Sequence, residues 1–577
     1  MPRFGVPFLL STLAFTAAFA RPVRAAESPD PLQYVPGSAQ LVLKIEDPRK
    51  LAEIITGLDA VKDGYSLAPG RELLNSTVAR RAFQMLGYLE RELGAKWPTL
   101  LDQIAGGGIA VAGQIGSEQA PALLILQGTD EKMVSRAFDL MIQVVGDELT
   151  RLGVPNQPRR GTEHGAETVM FGEGLHAARR GAVILVSNQA KGLEAALTMR
   201  PDDGVLAKKS IRDAKSLLPK GPLAWLWFDF AAVKQSKQAK DFFEATRKDF
   251  LQTVVVGSTI DCLRRSEFIT AGLYREPTGF RLAVRLPAGR SEFPPEFALH
   301  VPPGSKPGSR PLLEPPGVLY SQSFYLDVGY FWKNRDKLVN DEMRKQFEEG
   351  EKGVSKVLPG SVKFGELLEM WGPYHRLVVV NHDTPPYKTQ PTQQLPGFGY
   401  AVTMTDPKFG TAVAAALRSG GLLASIQFGI KQSEIDHDGV KIVAYRFPEN
   451  KPYPDDPNGV RFNFEPCFAV VGDQFLAAST VEVCKKLIAE VKRTADLPGS
   501  AAVWRAKAFA AGGGDALTAL PDPLVTDAIL GEGVGIEEAR KRVDALAGWL
   551  KTLGTLRLEI DEATAEYRLD LVWESKK

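Results

Sequence analysis

Acidic residues recur where apolar runs end. Asp47 follows the run Leu41 to Ile45, and Asp130, Asp229, Asp327 and Asp406 close comparable stretches. Carboxylates gathered by a fold could hold a cation or move a proton to a substrate. Each of these, however, also opens an apolar-periodic segment, and Asp47 and Asp406 are followed by Pro48 and Pro407. Aspartate before proline is a helix-start signal. The carboxylate accepts from free amides of the first turn, and proline lacks an amide that would have stayed unpaired. Capping therefore accounts for these residues without catalysis.

Other chemistry is thinly signalled. The 6 histidines include no pair at metal-ligand spacing, so no metal is expected. His375 and His382 flank the strand Leu377 to Val380, while His164 and His437 each precede a strand and read as turn residues. The segment Asp455 to Glu465 half imitates a calcium loop, with Asp456, Asn458, Gly459 and Glu465 in register, but Pro454 stands where the first ligand belongs. Gly172-Glu173-Gly174-Leu175-His176-Ala177 matches a dinucleotide fingerprint in spacing but leads into the strand Ala182 to Val186. Without a helix N-terminus to receive pyrophosphate it reads as a turn. No nucleophile elbow, Walker loop or His-Glu-x-x-His motif occurs. No cofactor is expected, and the residues lean away from an enzyme.

Trp225 and Trp227 are the candidate ligand-binding residues. They alternate in the strand Leu223 to Phe228, so both rings share one face with Asp229. Exposed, such a pair suits stacking on a sugar or another flat apolar ligand; buried, it is packing. Lys234, Lys237, Lys240, Arg247 and Lys248 follow, interleaved with Phe242, Phe243 and Phe250, and read as a solvated helix face.

The elements that carry these residues recur in order. Asp47 matches Asp327 and Asp130 matches Asp406; the strand after His164 resembles that after His437. Tight hairpins follow at Arg180-Gly181 and Gly472-Asp473. Longer ones close each half, with turns at Glu276 to Gly279 and Glu562 to Ala565. The reading is α+β: two similar lobes from tandem duplication, each an antiparallel or mixed sheet with helices packed on it. Helices are expected on one sheet face, and the amphipathic segment Ile536 to Lys551 is expected to lie on the sheet of its own lobe. The lobes span residues 27–290 and 312–577, joined by a stiff proline-rich linker over 291–311. Two polar loops, Asp383 to Pro396 and Pro448 to Asn458, occur only in the second half, and loops on a shared scaffold are where function tends to sit.

Composition bounds the rest. The 577 residues are 44% hydrophobic and 24% charged, as in folded soluble proteins. A net charge of +1 argues against nucleic acid as the partner. Arg3 and the apolar run Phe4 to Ala20, with small residues at Ala18, Ala20 and Ala25, read as a cleaved secretory signal over residues 1–26. No transmembrane helix is expected in the mature chain. The 3 cysteines do not hold the fold; Cys467 and Cys484 read as buried thiols, with a disulfide between them as the alternative.

The signal followed by Val35 to Leu51 (VPGSAQLVLKIEDPRKL), with the returning strand-Asp-Pro-helix units, resembles an uncharacterised family of exported bacterial proteins known only as a domain of unknown function. The resemblance implies export and duplicated α+β lobes and supplies no active-site residues. The functional expectation is a non-enzymatic cell-envelope protein, periplasmic or secreted, binding an unknown ligand or protein partner between its lobes. The alternatives are an exported hydrolase with a site assembled from distant segments and an apolar-ligand or lipid carrier.

Overall fold

A computed structural model describes residues 29–115, 120–151, 153, 158–172, 174–245, 250–355, 362–381, 385–453, 455–562 and 565–576. The signal segment 1–26, Glu173, Arg247, Lys248, His382, Asp383, Pro454 and the turn residues Ala563 and Thr564 lie outside them. The strand-end aspartates do what local chemistry dictates. Asp47, Asp130 and Asp327 accept the amides of Lys50, Met133 and Tyr330 at 2.8, 3.0 and 2.7 Å. Asp229 and Asp406 take those of Ala232 and Lys408 at 3.4 and 2.8 Å. Each cap starts a helix after a strand, which makes strand-Asp-helix the repeated building step.

The chain divides into two compact units. The first holds the described residues up to Ser236 together with Ser266–Pro287; the second holds Lys237–Arg265 and Ala288–Lys577. In the first unit the strands are β1 (Leu41–Ile45), β2 (Gly108–Gly113), β3 (Ala122–Gln127), β4 (Arg159–Glu163), β5 (Ala166–Phe171), β6 (Leu175–Arg180), β7 (Val183–Ser187), β8 (Ala224–Asp229), β9 (Phe268–Arg275) and β10 (Gly279–Leu286). They pair antiparallel in the order β4-β5-β6-β7-β3-β2-β1-β8-β9-β10.

The second unit contains β11 (Val318–Tyr325), β12 (Trp371–Val380), β13 (Gly397–Met404), β14 (Lys431–His437), β15 (Val440–Arg446), β16 (Cys467–Val471), β17 (Gln474–Ala478), β18 (Trp504–Phe509), β19 (Thr555–Glu562) and β20 (Tyr567–Glu574). Their order is β14-β15-β16-β17-β13-β12-β11-β18-β19-β20, again antiparallel. Strand for strand, this is the order of the first unit. The fold is α+β with extensive antiparallel sheet.

Helices cover both sheet faces, not the single face expected. Along β7, Leu185 packs with the helices Ala190–Thr198 and Lys209–Leu217, whereas Ile184 packs with the helix Glu131–Arg151. Along β17, Leu476 faces the helix Val481–Arg493 and Phe475 faces the helix Lys408–Phe428. A strand buried on both faces needs a continuous apolar run, and Val183-Ile184-Leu185-Val186 supplies one. Val134, Phe138 and Ile142 recur every four residues and lose nearly all their exposure, each contributing about 1.5–3 kcal/mol.

Some elements settle elsewhere than the sequence suggests. The helix Ile536–Leu550 buries Ala539, Val543 and Ala547 against the helices Ala510–Ala519 and Asp522–Glu532. Gly514 permits this, since a Cβ there would stand 2.6 Å from the Ala547 carbonyl oxygen. Residues 291–311 do not stand free as a stiff hinge. Leu299 and Ser309 are fully buried, and the segment belongs to the second unit. Arg376 and Arg505 donate to the carbonyls of Pro311 and Arg310 at 3.4 and 2.8 Å. Ser309 Oγ donates to the Ala502 carbonyl at 2.7 Å.

Hairpin turns locate the register. His164 and Gly165 have φ of 50° and 74°, and Asp438 and Gly439 have 53° and 73°. Two successive left-handed residues suit a two-residue hairpin. Thus His164 corresponds to Asp438, one residue beyond the expected match with His437, which is the last residue of β14.

Candidate functional site

The tryptophan pair shares a face, as alternation requires, but that face is interior. Trp225 and Trp227 are 3% and 1% exposed. Lys215 and Lys208 sit 5.1 and 5.0 Å from the two ring centroids, and Trp225 Nε1 donates to Glu46 at 3.1 Å. Neither ring offers a free face to a flat ligand. They anchor a core with Leu32, Val35 and Val42.

The remaining nominated groups are dispersed and engaged. His375 is 3% exposed; its Nε2 donates to the Leu326 carbonyl at 2.8 Å, and Nδ1 accepts from Tyr400 Oη at 2.5 Å. Burial pulls its pKa down to about 4, so the ring is a neutral link between strands. Asp456 accepts from Val460 N and Arg461 Nη1, both at 2.6 Å, and Glu465 accepts from Arg446 at 3.0 Å. In the half-calcium loop, arginines occupy the carboxylates. Gly172, with φ of 63°, lies in the turn between β5 and β6. Cys467 and Cys484 are buried side by side, contact with Cys484 and burial push the Cys467 thiol upward, and no disulfide links the described cysteines.

What the second unit adds to the shared scaffold is a pair of loops. In the first unit β5 passes to β6 between Phe171 and Leu175; the equivalent passage runs from Arg446 to Cys467. This loop and the segment after β12 fold onto each other around Tyr387, which is 3% exposed. Its hydroxyl donates to the Phe464 carbonyl at 2.9 Å and accepts from Phe447 N at 3.0 Å. Arg446 lies 4.5 Å from its ring centroid and Phe462 packs at 5.2 Å. Burial pushes the phenol up to about 12, so it stays a hydrogen-bonding anchor.

Further bonds seal the loops together. Thr389 N donates to Glu449 at 2.9 Å, Thr392 N to the Asn458 carbonyl at 3.0 Å, and Leu395 N to Asn463 Oδ1 at 2.8 Å. Outward stand Lys388, Gln390, Gln393, Gln394, Asn458 and Val460. Such a surface can hydrogen-bond and make apolar contact. Within the loops the Thr389 hydroxyl also donates to the Glu449 carboxylate at 3.0 Å. The sequence flagged the loops by composition; nothing in it flagged Tyr387 as the residue that folds them.

The first unit has a cleft of about 240 Å³ lined by Pro36, Ala39, Gln114, Leu123, Gln189 and Lys191 among others. It is smaller than the roughly 300–1,000 Å³ of ligand pockets. Among the described residues no group of His, Cys, Asp or Glu could hold a metal ion, and no helix is long and apolar enough to cross a membrane.

No family model matches the chain, and no curated protein does. Among solved structures, crystal form I of TP0453 is 11% identical, covering 46% of this chain and 82% of that one at a TM-score of 0.23. Crystal form III of TP0453 is 13% identical, covering 47% and 86% at a TM-score of 0.22. Likenesses this weak carry no argument about role.

Proposed function

We propose that this chain is an exported, non-enzymatic cell-envelope protein, built from a duplicated α+β half, that binds a ligand or protein partner through the paired loops of its second unit. Support for duplication lies in the matched strand order, the two matched pairs of strand-end aspartates, Asp47 with Asp327 and Asp130 with Asp406, and the matched left-handed turns. In this reading 27–290 and 312–577 descend from one ancestral half. Support for binding over catalysis lies in the engagement of the reactive groups: the aspartates cap, and His375 spans strands. The observation that carries the proposal is the ordered loop pair around Tyr387, present on one of two otherwise corresponding scaffolds.

The test is purification from the native envelope, followed by mass spectrometry of co-purifying small molecules and proteins. The parent chain is compared with one in which 385–395 and 448–459 are replaced by short turns. A companion lost on shortening supports the reading; an unchanged set of companions defeats it. N-terminal sequencing of the same material reports cleavage after the signal.

A further inference from the structure

The helix Phe250–Arg265 belongs to the second unit and is unusually buried for a surface helix: Thr253, Val254, Ser258, Asp261 and Cys262 are all under a tenth exposed. Two titratable side chains grip it one turn apart. His300, 5% exposed, donates from Nε2 to the Val254 carbonyl at 2.6 Å, and its Nδ1 has no partner among the described residues. Glu562, 3% exposed, accepts the Ser258 hydroxyl at 2.6 Å on one oxygen, and the other has no partner among the described residues. Between them Gly257 lets the helix approach, since a Cβ there would stand 2.7 Å from the Phe297 ring.

The orphaned atoms dictate charge state. A proton on His300 Nδ1 would place a cation in an apolar pocket that gives it no acceptor. Loss of the proton from Glu562 would leave a buried carboxylate oxygen with no donor. Both are costly, so the docked helix demands neutral groups at both positions. The surroundings agree. Burial raises Glu562 to about 7, opposed by Ser258 and Arg290 and aided by Asp561 and Asp261; burial lowers His300 to about 4. Asp261 is itself paired with Arg264 and Arg265 at 2.5 and 2.7 Å. Tyr567 and Cys262, the other titratable groups at this place, are pushed upward by burial, away from the acid range.

We propose that Glu562 and His300 form a compensating pair of proton-binding sites, so that docking of the Phe250–Arg265 helix takes up a proton at one and gives one up at the other. Released, the two groups return toward their ordinary values of 4.5 and 6.5. Between those values Glu562 favours docking less as pH rises, and His300 favours it more. The two slopes have opposite sign and equal size, so docking holds steady across the mildly acid range. A chain exposed to a variable external pH would gain constancy from this arrangement.

Hydrogen–deuterium exchange of the full chain, read on peptides covering 253–265 and corrected for intrinsic rates, tests the pairing. Between pH 4.5 and 6.5 the parent's opening constant should change less than about threefold, against the roughly tenfold per pH unit of one uncompensated proton. Glu562→Gln exposes the histidine alone, and opening should fall about tenfold per unit as pH rises. His300→Gln keeps a donor for Val254 and should reverse that slope. The double variant should be flat again. A steep parent profile, a flat Glu562→Gln profile, or slopes of one sign in both single variants overturns the proposal. Should either variant fail to fold, the other with the parent still decides.

Discussion

At the same register positions the two units carry different side chains. In the first, Val42 and Lys44 of β1 face Trp227 and Trp225 of β8 and Ala112 and Ala110 of β2. In the second, Ser321 and Ser323 of β11 face Lys507 and Arg505 of β18 and Val378 and Arg376 of β12. One interior sets the tryptophans beside the buried Lys44 of the sheet, with lysines in the cover; the other replaces the rings with Arg505 and Lys507 and adds Arg376, with backbone carbonyls in the cover. The strand order survives the exchange. Hairpins, caps and ladder hydrogen bonds therefore set the architecture, while the interior needs only that every buried group meet a suitable partner.

The comparison breaks most sharply at its tryptophan. Trp227→Ala should cost the first unit about 3–5 kcal/mol. Lys507→Ala at the matching place, where a partly exposed ion pair with Glu314 is lost, should cost under about 1 kcal/mol. Denaturant titration read by exchange on each unit measures both; equal losses would deny that the two interiors differ in kind. Acid should next distinguish them. His375 has a folded pKa of about 4 against an ordinary 6.5, so the unfolded chain binds the extra proton between those values. Stability of the second unit should fall by roughly 3 kcal/mol as pH drops through that window. A His375→Gln chain, compared by thermal melts, should lose that slope.

Arg376→Met should cost about 2–3 kcal/mol, because Pro311, Thr494 and Gln474 would lose their buried donor. Limited proteolysis should then cut within 307–316. The smallest effect belongs to what the units share. Asp47→Ala and Asp327→Ala should each cost about 1 kcal/mol, and calorimetric melts giving markedly unequal values would show that the caps are not equivalent.

Local chemistry made much of this legible in advance. Asp47, Asp130, Asp229, Asp327 and Asp406 act through neighbours a few residues away, so their spacing sufficed. The alternation of Trp225 and Trp227 gave a shared face, but which face is buried depends on Leu32 and Val35, distant in sequence. The one-residue error at His437 arose because only the backbone reveals that His164 is left-handed. Prolines between 287 and 316 suggested a free hinge; Arg376 and Arg505, which bind that segment, could not be assigned to it from spacing. The membership of 237–265 in the second unit was likewise invisible, since Val254 meets Leu299 and Phe331, and Ser258 meets Glu562, only once the chain has folded. The candidate loops were found by composition, and Tyr387 only by its contacts.

The strands that begin each order, β4 and β14, are almost wholly exposed and carry Arg159, Arg160 and Glu163, and Lys431, Glu434 and Asp436. An outermost strand offers unpaired amides and carbonyls to any passing chain. Dense alternating charge makes such a visitor strip water from ions before it can zip on. Crowded material should thus stay dispersed, and replacing these side chains with valine and threonine should turn the same fold into a seed for fibres.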